Sequence, residues 1–188
     1  MTDTESTTAR PALRADAQRN RIRILQAAES VFAESGPSAS TEEVAARAGV
    51  AIGTVFRHFP TKRDLLAAIM AALRYRFTAE ARALAVNGDP ATALFEFATD
   101  LVEQATTRRT IVALLSDTAG QVDSLHLAVE TLLRRAQDAG AVRPDARITD
   151  VLALLGAAIH AAWDQRSRER TLGIIFDGLR SGAQGHPG

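Results

Sequence analysis

The stretch Thr41-Glu-Glu-Val-Ala-Ala-Arg-Ala-Gly-Val-Ala-Ile-Gly-Thr-Val-Phe-Arg-His-Phe-Pro-Thr-Lys62 decides how this chain folds. Ser40-x-x-Glu43, just ahead of the small apolar set Val44, Ala45 and Ala48, is a capping box that opens a short helix. Gly49 permits a tight turn. A second short helix follows from near Ala51 to near His58, with Val50 and Val55 looking inward and Phe59 closing the unit. Thr61-x-x-Asp64 then caps a third helix. Two short helices joined by a glycine turn form a helix-turn-helix, whose second helix is built to lie in a major groove.

Upstream, Ile24, Leu25, Ala28, Val31 and Phe32 share one face of a helix predicted over Asp16–Glu34, ended by Ser35-Gly36-Pro37-Ser38. Residues 1–15 show no periodicity and are expected to form a flexible arm, whose Arg10 and Arg14 either reach DNA beside the motif or belong to a frayed tail. The reading unit is thus placed at 16–60. Downstream, Leu65, Leu66, Ile69, Leu73 and Phe77 predict a linking helix over 61–77. Residues 78–188 are expected to be a helical domain, broken at Asn87-Gly88-Asp89-Pro90, Thr118-Ala-Gly120 and Pro144-Asp145, with Pro90 at a first helical position. Its helices are placed around Thr110–Leu115, Asp123–Ala139, Thr149–Gln165 and Arg168–Leu179, after one carrying Leu94, Phe97, Ala98 and Leu101. No alternating strand pattern occurs. The fold class is all-α, about nine helices, a small N-terminal domain followed by a larger bundle.

Composition narrows the function. The chain has 188 residues, 46% apolar and 23% charged, which suits a packed core rather than disorder. With no cysteine, thiolate metal sites are excluded and a reducing cytoplasm is the expected home. The longest apolar run, Val151–Ile159, is too short to cross a bilayer, and Met1–Ala9 has no apolar signal segment, so no membrane role is expected. Net charge is zero, but residues 1–76 hold 11 Arg/Lys against 8 Asp/Glu, and residues 77–188 hold 11 against 14. That split places the basic face with the motif. Lys62 is the single lysine. No nucleophile elbow, phosphate loop, dinucleotide fingerprint or zinc signature is present, and His126, His160, Asp117 and Asp164 lack metal-ligand spacing. The expectation is no enzyme, no metal and no cofactor.

Residues 20–70 resemble the DNA-binding domain of the TetR family of transcriptional regulators. The resemblance is carried by Ile24-Leu-x-Ala-Ala28, Phe32, Gly36, Val44-Ala-x-x-Ala-Gly-Val50, Gly53-Thr-Val-Phe-x-His-Phe59 and Lys62. It implies that Ala51, Ile52 and Thr54 face base edges, Thr54 through a hydrogen bond and Ile52 through apolar contact, while Gly53 lets the backbone approach closely. Phe56 would pack on the sugar-phosphate wall or else in the core. Arg57 and His58 would touch phosphate or groove, or else face solvent and end the helix. Lys62 and Thr41 would meet phosphates at helix starts. Two positions depart from the family's habit: Ala51, where a hydroxyl residue would cap the helix, and Phe56, where tyrosine would donate to phosphate.

In the second domain the resemblance is one of layout. Leu152, Leu155, Ile159, Leu172, Ile175, Phe176 and Leu179 form two apolar stripes read as a dimer interface of two helices per subunit, with an intrachain core as the alternative. Gly156, Gly173 and Gly178 would let helices approach closely. A small-molecule pocket is placed among Phe77, Phe95, Leu101, Gln104, Leu115, His126, His160 and Trp163, with Phe97 and Leu114 as further walls, although aromatic stripes more often serve a core. The expected whole is a homodimeric, ligand-responsive repressor on a palindromic operator, at the nucleoid when bound to double-stranded DNA. A helix-turn-helix fused to a bundle enzyme, an architectural DNA binder without effector, and a protein-only interaction module are the rivals.

Overall fold

The computed structural model describes residues 9–107, 124–161 and 164–182. Within them lie eight α-helices: α1 Ala9–Ser35, α2 Thr41–Ala48, α3 Ile52–His58, α4 Lys62–Asn87, α5 Ala93–Thr107, α6 Ser124–Asp138, α7 Ile148–Ala161 and α8 Gln165–Leu179. A short 3-10 turn, Gly36–Ser38, follows α1. The expected all-α architecture is therefore what the described residues show. The helix placed at Thr110–Leu115 lies outside them. The chain divides into two compact units, and the boundary falls inside α4, between Ala71 and Ala72.

In the first unit, α1 packs on α2 and α2 on α3. Ile24, Ala28, Val31 and Phe32 present the predicted face of α1, each essentially without solvent exposure, and meet a core that includes Val44, Val55 and Leu65. Burying side chains of this size stabilises by about 1.5–3 kcal/mol each. In the second unit α5 contacts α6, α7 and α8, and α7 contacts both α6 and α8. Phe97, Leu94, Val102, Val129 and Leu132 form its centre. The backbone of Arg143 donates to Leu179 O at 2.8 Å and that of Ser181 donates to Ala141 O at 3.2 Å. These two bonds tie the end of α8 to the segment after α6. Gln137 completes the corner, its Nε2 donating to the carbonyls of Arg143, Pro144 and Ala146.

Several boundaries differ from the sequence reading. Of the arm expected over 1–15, residues 1–8 lie outside the described residues, and helix is present from Ala9. The stretch is rich in helix formers, and Pro11 falls in the first turn, where its missing N–H has no intrahelical partner to lose. The linking helix runs past Phe77 to Asn87 because its inner face continues through Thr78 and Ala81, both buried. It stops at Gly88, where a Cβ would stand 2.6 Å from Leu84 O. Pro90 precedes α5 instead of opening it. Asp89 Oδ1 accepts from the Ala91 backbone at 2.9 Å, making a turn that delays the helix to Ala93.

Candidate nucleic-acid interface

The motif's turns are set by local chemistry. Glu43 N donates to Ser40 Oγ at 3.1 Å, and Ser40 N donates to Glu43 Oε2 at 3.2 Å, which closes the predicted capping box of α2. Gly49 ends that helix at φ 64, ψ 40, a left-handed conformation that disfavours any side chain. Ala51 then stands at the N-cap of α3 with no side-chain hydrogen bond to offer. Only its carbonyl engages, accepting from Thr54 N at 2.8 Å. At α4, Thr61 and Asp64 make the reciprocal pair: Asp64 N donates to Thr61 Oγ1 at 3.1 Å and Thr61 N donates to Asp64 Oδ2 at 3.0 Å.

Within α3, Val55 alone is buried. Ala51, Ile52, Gly53, Phe56 and Arg57 are exposed, and Thr54 and His58 are half-buried. Phe56 keeps 43% of its surface in solvent and Ile52 keeps 37%, so Phe56 is no core residue. A Cβ added at Gly53 would meet no atom within 4 Å. The protein's own packing therefore has no use for a glycine that costs about 1 kcal/mol against alanine. Thr41 is half-buried at the first turn of α2, its hydroxyl 3.4 Å from Glu42 Oε2.

Lys62 has a task that its sequence position does not reveal. Its Nζ donates to Ala39 O at 2.7 Å and lies 5.2 Å from the centre of the buried Phe32 ring. It thereby braces the start of α4 against α1 and the loop before α2. Two other pairings were also missed. Arg47 makes a two-pronged bond to Glu34 at 2.5 and 2.8 Å, joining α2 to α1. The hydrogen bond from Arg47 holds the Glu34 carboxyl below the usual carboxylate range. Arg21 places its guanidinium 4.6 Å above Phe59, at the end of α3. Arginine–carboxylate pairs across helices leave no spacing signal, which is why only the fold exposes them.

These features match known proteins. Residues 24–69 match the family described as bacterial regulatory proteins, tetR family, and residues 89–181 match the C-terminal domain of SbtR-like transcriptional regulators. A TetR transcription regulatory protein from Mycobacterium vanbaalenii is 36% identical, with 89% of this chain and 99% of that one covered and a TM-score of 0.69. The chain belongs to the TetR family. A TetR transcriptional regulator from Streptomyces coelicolor is 31% identical over 87% of this chain and 99% of that one, with a TM-score of 0.69. An HTH-type transcriptional repressor of Mycobacterium tuberculosis is 50% identical over 56 residues, a stretch that spans 29% of this chain and 30% of the relative's length. This TetR-family chain is thus a transcriptional regulator with an N-terminal DNA-binding unit.

The second unit of this TetR-family regulator redistributes the residues expected there. Leu155, Leu172 and Leu179 are buried inside the chain, so they are core rather than free dimer surface. Leu152, Ile159, Ile175 and Phe176 are half-buried. The large apolar residues left exposed on α7 and α8, among the described residues, are instead Leu154 and Ile174, the latter 68% exposed. Periodicity found the stripes but could not say which edge the chain keeps for itself. Nor do Gly156, Gly173 and Gly178 bring helices of this chain together: a Cβ at each would meet nothing within 4 Å.

Of the expected pocket residues, Phe77 is buried in the core, while Leu101, Gln104 and His126 are half-buried. Gln104 and His126 both have partners within the protein. Leu115, Trp163 and the side chain of His160 lie outside the described residues. Phe95 borders an open cleft of about 750 Å³, together with Glu96, Asp100, Phe176 and Arg180. Phe95 and Phe176 meet edge to face at 5.0 Å, and Arg180 lies over Phe95. Phe176, expected at the dimer face, makes this contact within the chain and stays half-buried. No helix among the described residues is long and apolar enough to cross a membrane. No group of three or more metal-ligating side chains occurs among them.

Proposed function

We propose that this TetR-family regulator is a homodimeric repressor that lays α3 in the major groove of an inverted-repeat operator and releases it on binding a small molecule in its second unit. The observation that carries the DNA-reading part is α3 itself. It spends one residue on the core and leaves Ile52, Phe56 and Arg57 outward, beside a glycine that its own fold does not need. Close approach of a duplex accounts for that glycine. Thr54 and Ile52 are the base-reading candidates, through a hydrogen bond and a thymine-methyl contact respectively. Phe56 and Arg57 flank them toward the sugar-phosphate wall, with Ala51, His58 and Thr41 at the edges. Lys62 acts first as a brace, and a phosphate contact is secondary to it.

Dimerisation is supported by the exposed Leu154 and Ile174 and by glycines with open space above them, which suit a second copy packed closely on α7 and α8. One short helix reads few base pairs, and two placed about 34–36 Å apart read a palindrome. Effector control would be a shift between two states, with α4 carrying the change because it belongs to both units.

Selection of duplexes from a random pool by the purified protein tests the reading. Enrichment of an inverted repeat supports it. Retention of DNA without any enriched sequence would replace it with architectural binding, and no retention would leave a protein-only module.

A further inference from the structure

We propose that the open cleft bordered by α5, the segment after α6 and the end of α8 binds a small organic cation that carries an aromatic ring, of the arylalkylammonium class; its role as the effector site rests on the small-molecule part of the reading above.

The cleft, of about 750 Å³, lies wholly within the second unit. Small-molecule sites typically enclose about 300–1,000 Å³. Apart from Phe95 it shares no residue with the pocket expected from residue spacing. Its walls come from separate parts of the chain: Phe95, Glu96 and Asp100 on α5, Gly140 and Ala141 after α6, and Phe176 and Arg180 at the end of α8. Ser181 N donates to Ala141 O and Arg143 N to Leu179 O, so backbone bonds hold the last two walls together. The cleft is thus built by the fold itself.

Its chemistry selects a cation. Phe95 and Phe176 are half-buried and meet edge to face. Aromatic faces carry the negative end of the ring quadrupole and attract cations. The chain itself uses this property, for the Arg180 guanidinium lies 5.5 Å from the centre of the Phe95 ring. Glu96 and Asp100 stand one turn apart on α5, both exposed and both at the cleft. Like charges at that spacing oppose each other, so the helix gains nothing from them. Glu96 is held in place by Thr92, whose Oγ1 donates to Glu96 Oε1 at 2.6 Å. Arg180 leaves these charges uncompensated, since its Nη1 donates to Asp177 Oδ1 at 2.7 Å. An anion would meet two carboxylates. A metal ion would lack a third ligand, because no group of three or more metal-ligating side chains occurs among the described residues. An arylalkylammonium satisfies both halves of the cleft, its ring against Phe95 and Phe176 and its charge beside Glu96 and Asp100. Asp100 also hydrogen-bonds Glu80 on α4, the helix that belongs to both units. A cation at Asp100 competes for that bond and so acts on α4.

The full chain is titrated with phenylbutylammonium, phenylbutanol and phenylbutanoate, one skeleton in cationic, neutral and anionic form. Calorimetry gives affinity, backbone-amide NMR gives location, and each probe is also added to the protein on its selected operator. The cation should bind most tightly and the anion least, with shifts centred on Phe95–Asp100 and Gly140–Ala141. Glu96→Gln/Asp100→Asn should weaken the cation roughly fivefold and leave the alcohol unaltered. Arg180→Gln removes the competing guanidinium and should tighten the cation about twofold or more. These opposite signs separate ligand contact from damage to the fold, which weakens every probe alike. Equal binding of the probes, a cation insensitive to the carboxyl variant, shifts centred elsewhere, or no binding at millimolar concentration overturns the site. Binding in the cleft with the operator retained keeps the site and overturns its control of DNA. Operator release by a probe that leaves the cleft amides unmoved keeps small-molecule control and overturns the cleft.

Discussion

Gly53 and Lys62 are the two positions where a single atom's surroundings say most about function. At Gly53 a methyl group has open space in the free protein. Gly53→Ala should therefore raise stability by about 0.5–1 kcal/mol through helix propensity while weakening operator binding. Denaturant melts and DNA titrations on one preparation check both signs; a stabilised variant with unaltered affinity would remove close backbone approach as the reason for the glycine. At Lys62 the expectation runs the other way. Lys62→Met keeps the stem but leaves Ala39 O without its 2.7 Å donor. It should cost about 1.5 kcal/mol of stability, with DNA binding reduced only as far as the start of α4 loosens. A variant of parental stability that binds DNA with a salt slope lower by about 1 would return Lys62 to the phosphate.

At the scale of elements, the motif helices are held by caps that sequence spacing makes visible, and by cross-helix partners that it does not. Ser40 with Glu43 and Thr61 with Asp64 stand three residues apart, so the bonds that form are local and legible. Glu34 with Arg47 and Arg21 with Phe59 are separated by whole elements. In the second unit, Glu80 on α4 and Asp100 on α5 are a further such pair. Burial, followed by the Asp100 charge and the hydrogen bond between the two carboxyls, pushes the Glu80 pKa up. Since the folded value exceeds the unfolded one, the stability tied to this group is complete below the ordinary glutamate range and is lost as pH rises through the folded pKa. Glu80→Gln should match the parent in acid and exceed it in stability at neutral pH. Thermal melts across that window measure this, and parallel curves for the two proteins would show that the carboxyl ionises without strain.

For the whole molecule, the exposed residues of α7 and α8 are the surface on which the proposed dimer depends. Ile174 keeps 68% of its surface outside the chain's own core. Ile174→Glu should leave the helical content and melting of the fold intact while shifting light-scattering mass from dimer to monomer, with operator affinity falling steeply as the second reading helix is lost. A mass that stays dimeric would move the interface to other elements. Phe176→Glu differs in kind, because Phe176 stacks on Phe95 and its loss disturbs the intrachain cleft.

The chain order alone settled the helical class, the helix-turn-helix, its two capping boxes and the glycine turn, because each depends on residues within a few positions of one another. Residue spacing also picked out the apolar rows of the second unit. The burial of Leu155, Leu172 and Leu179 within the chain and the exposure of Leu154 and Ile174 required the packed helices, since an apolar stripe has two edges and only its neighbours decide which one faces inward. The same holds for Lys62. A lysine at a helix start reads as a phosphate ligand until the carbonyl of Ala39 and the ring of Phe32, far apart in the chain, are brought beside its ammonium by the fold.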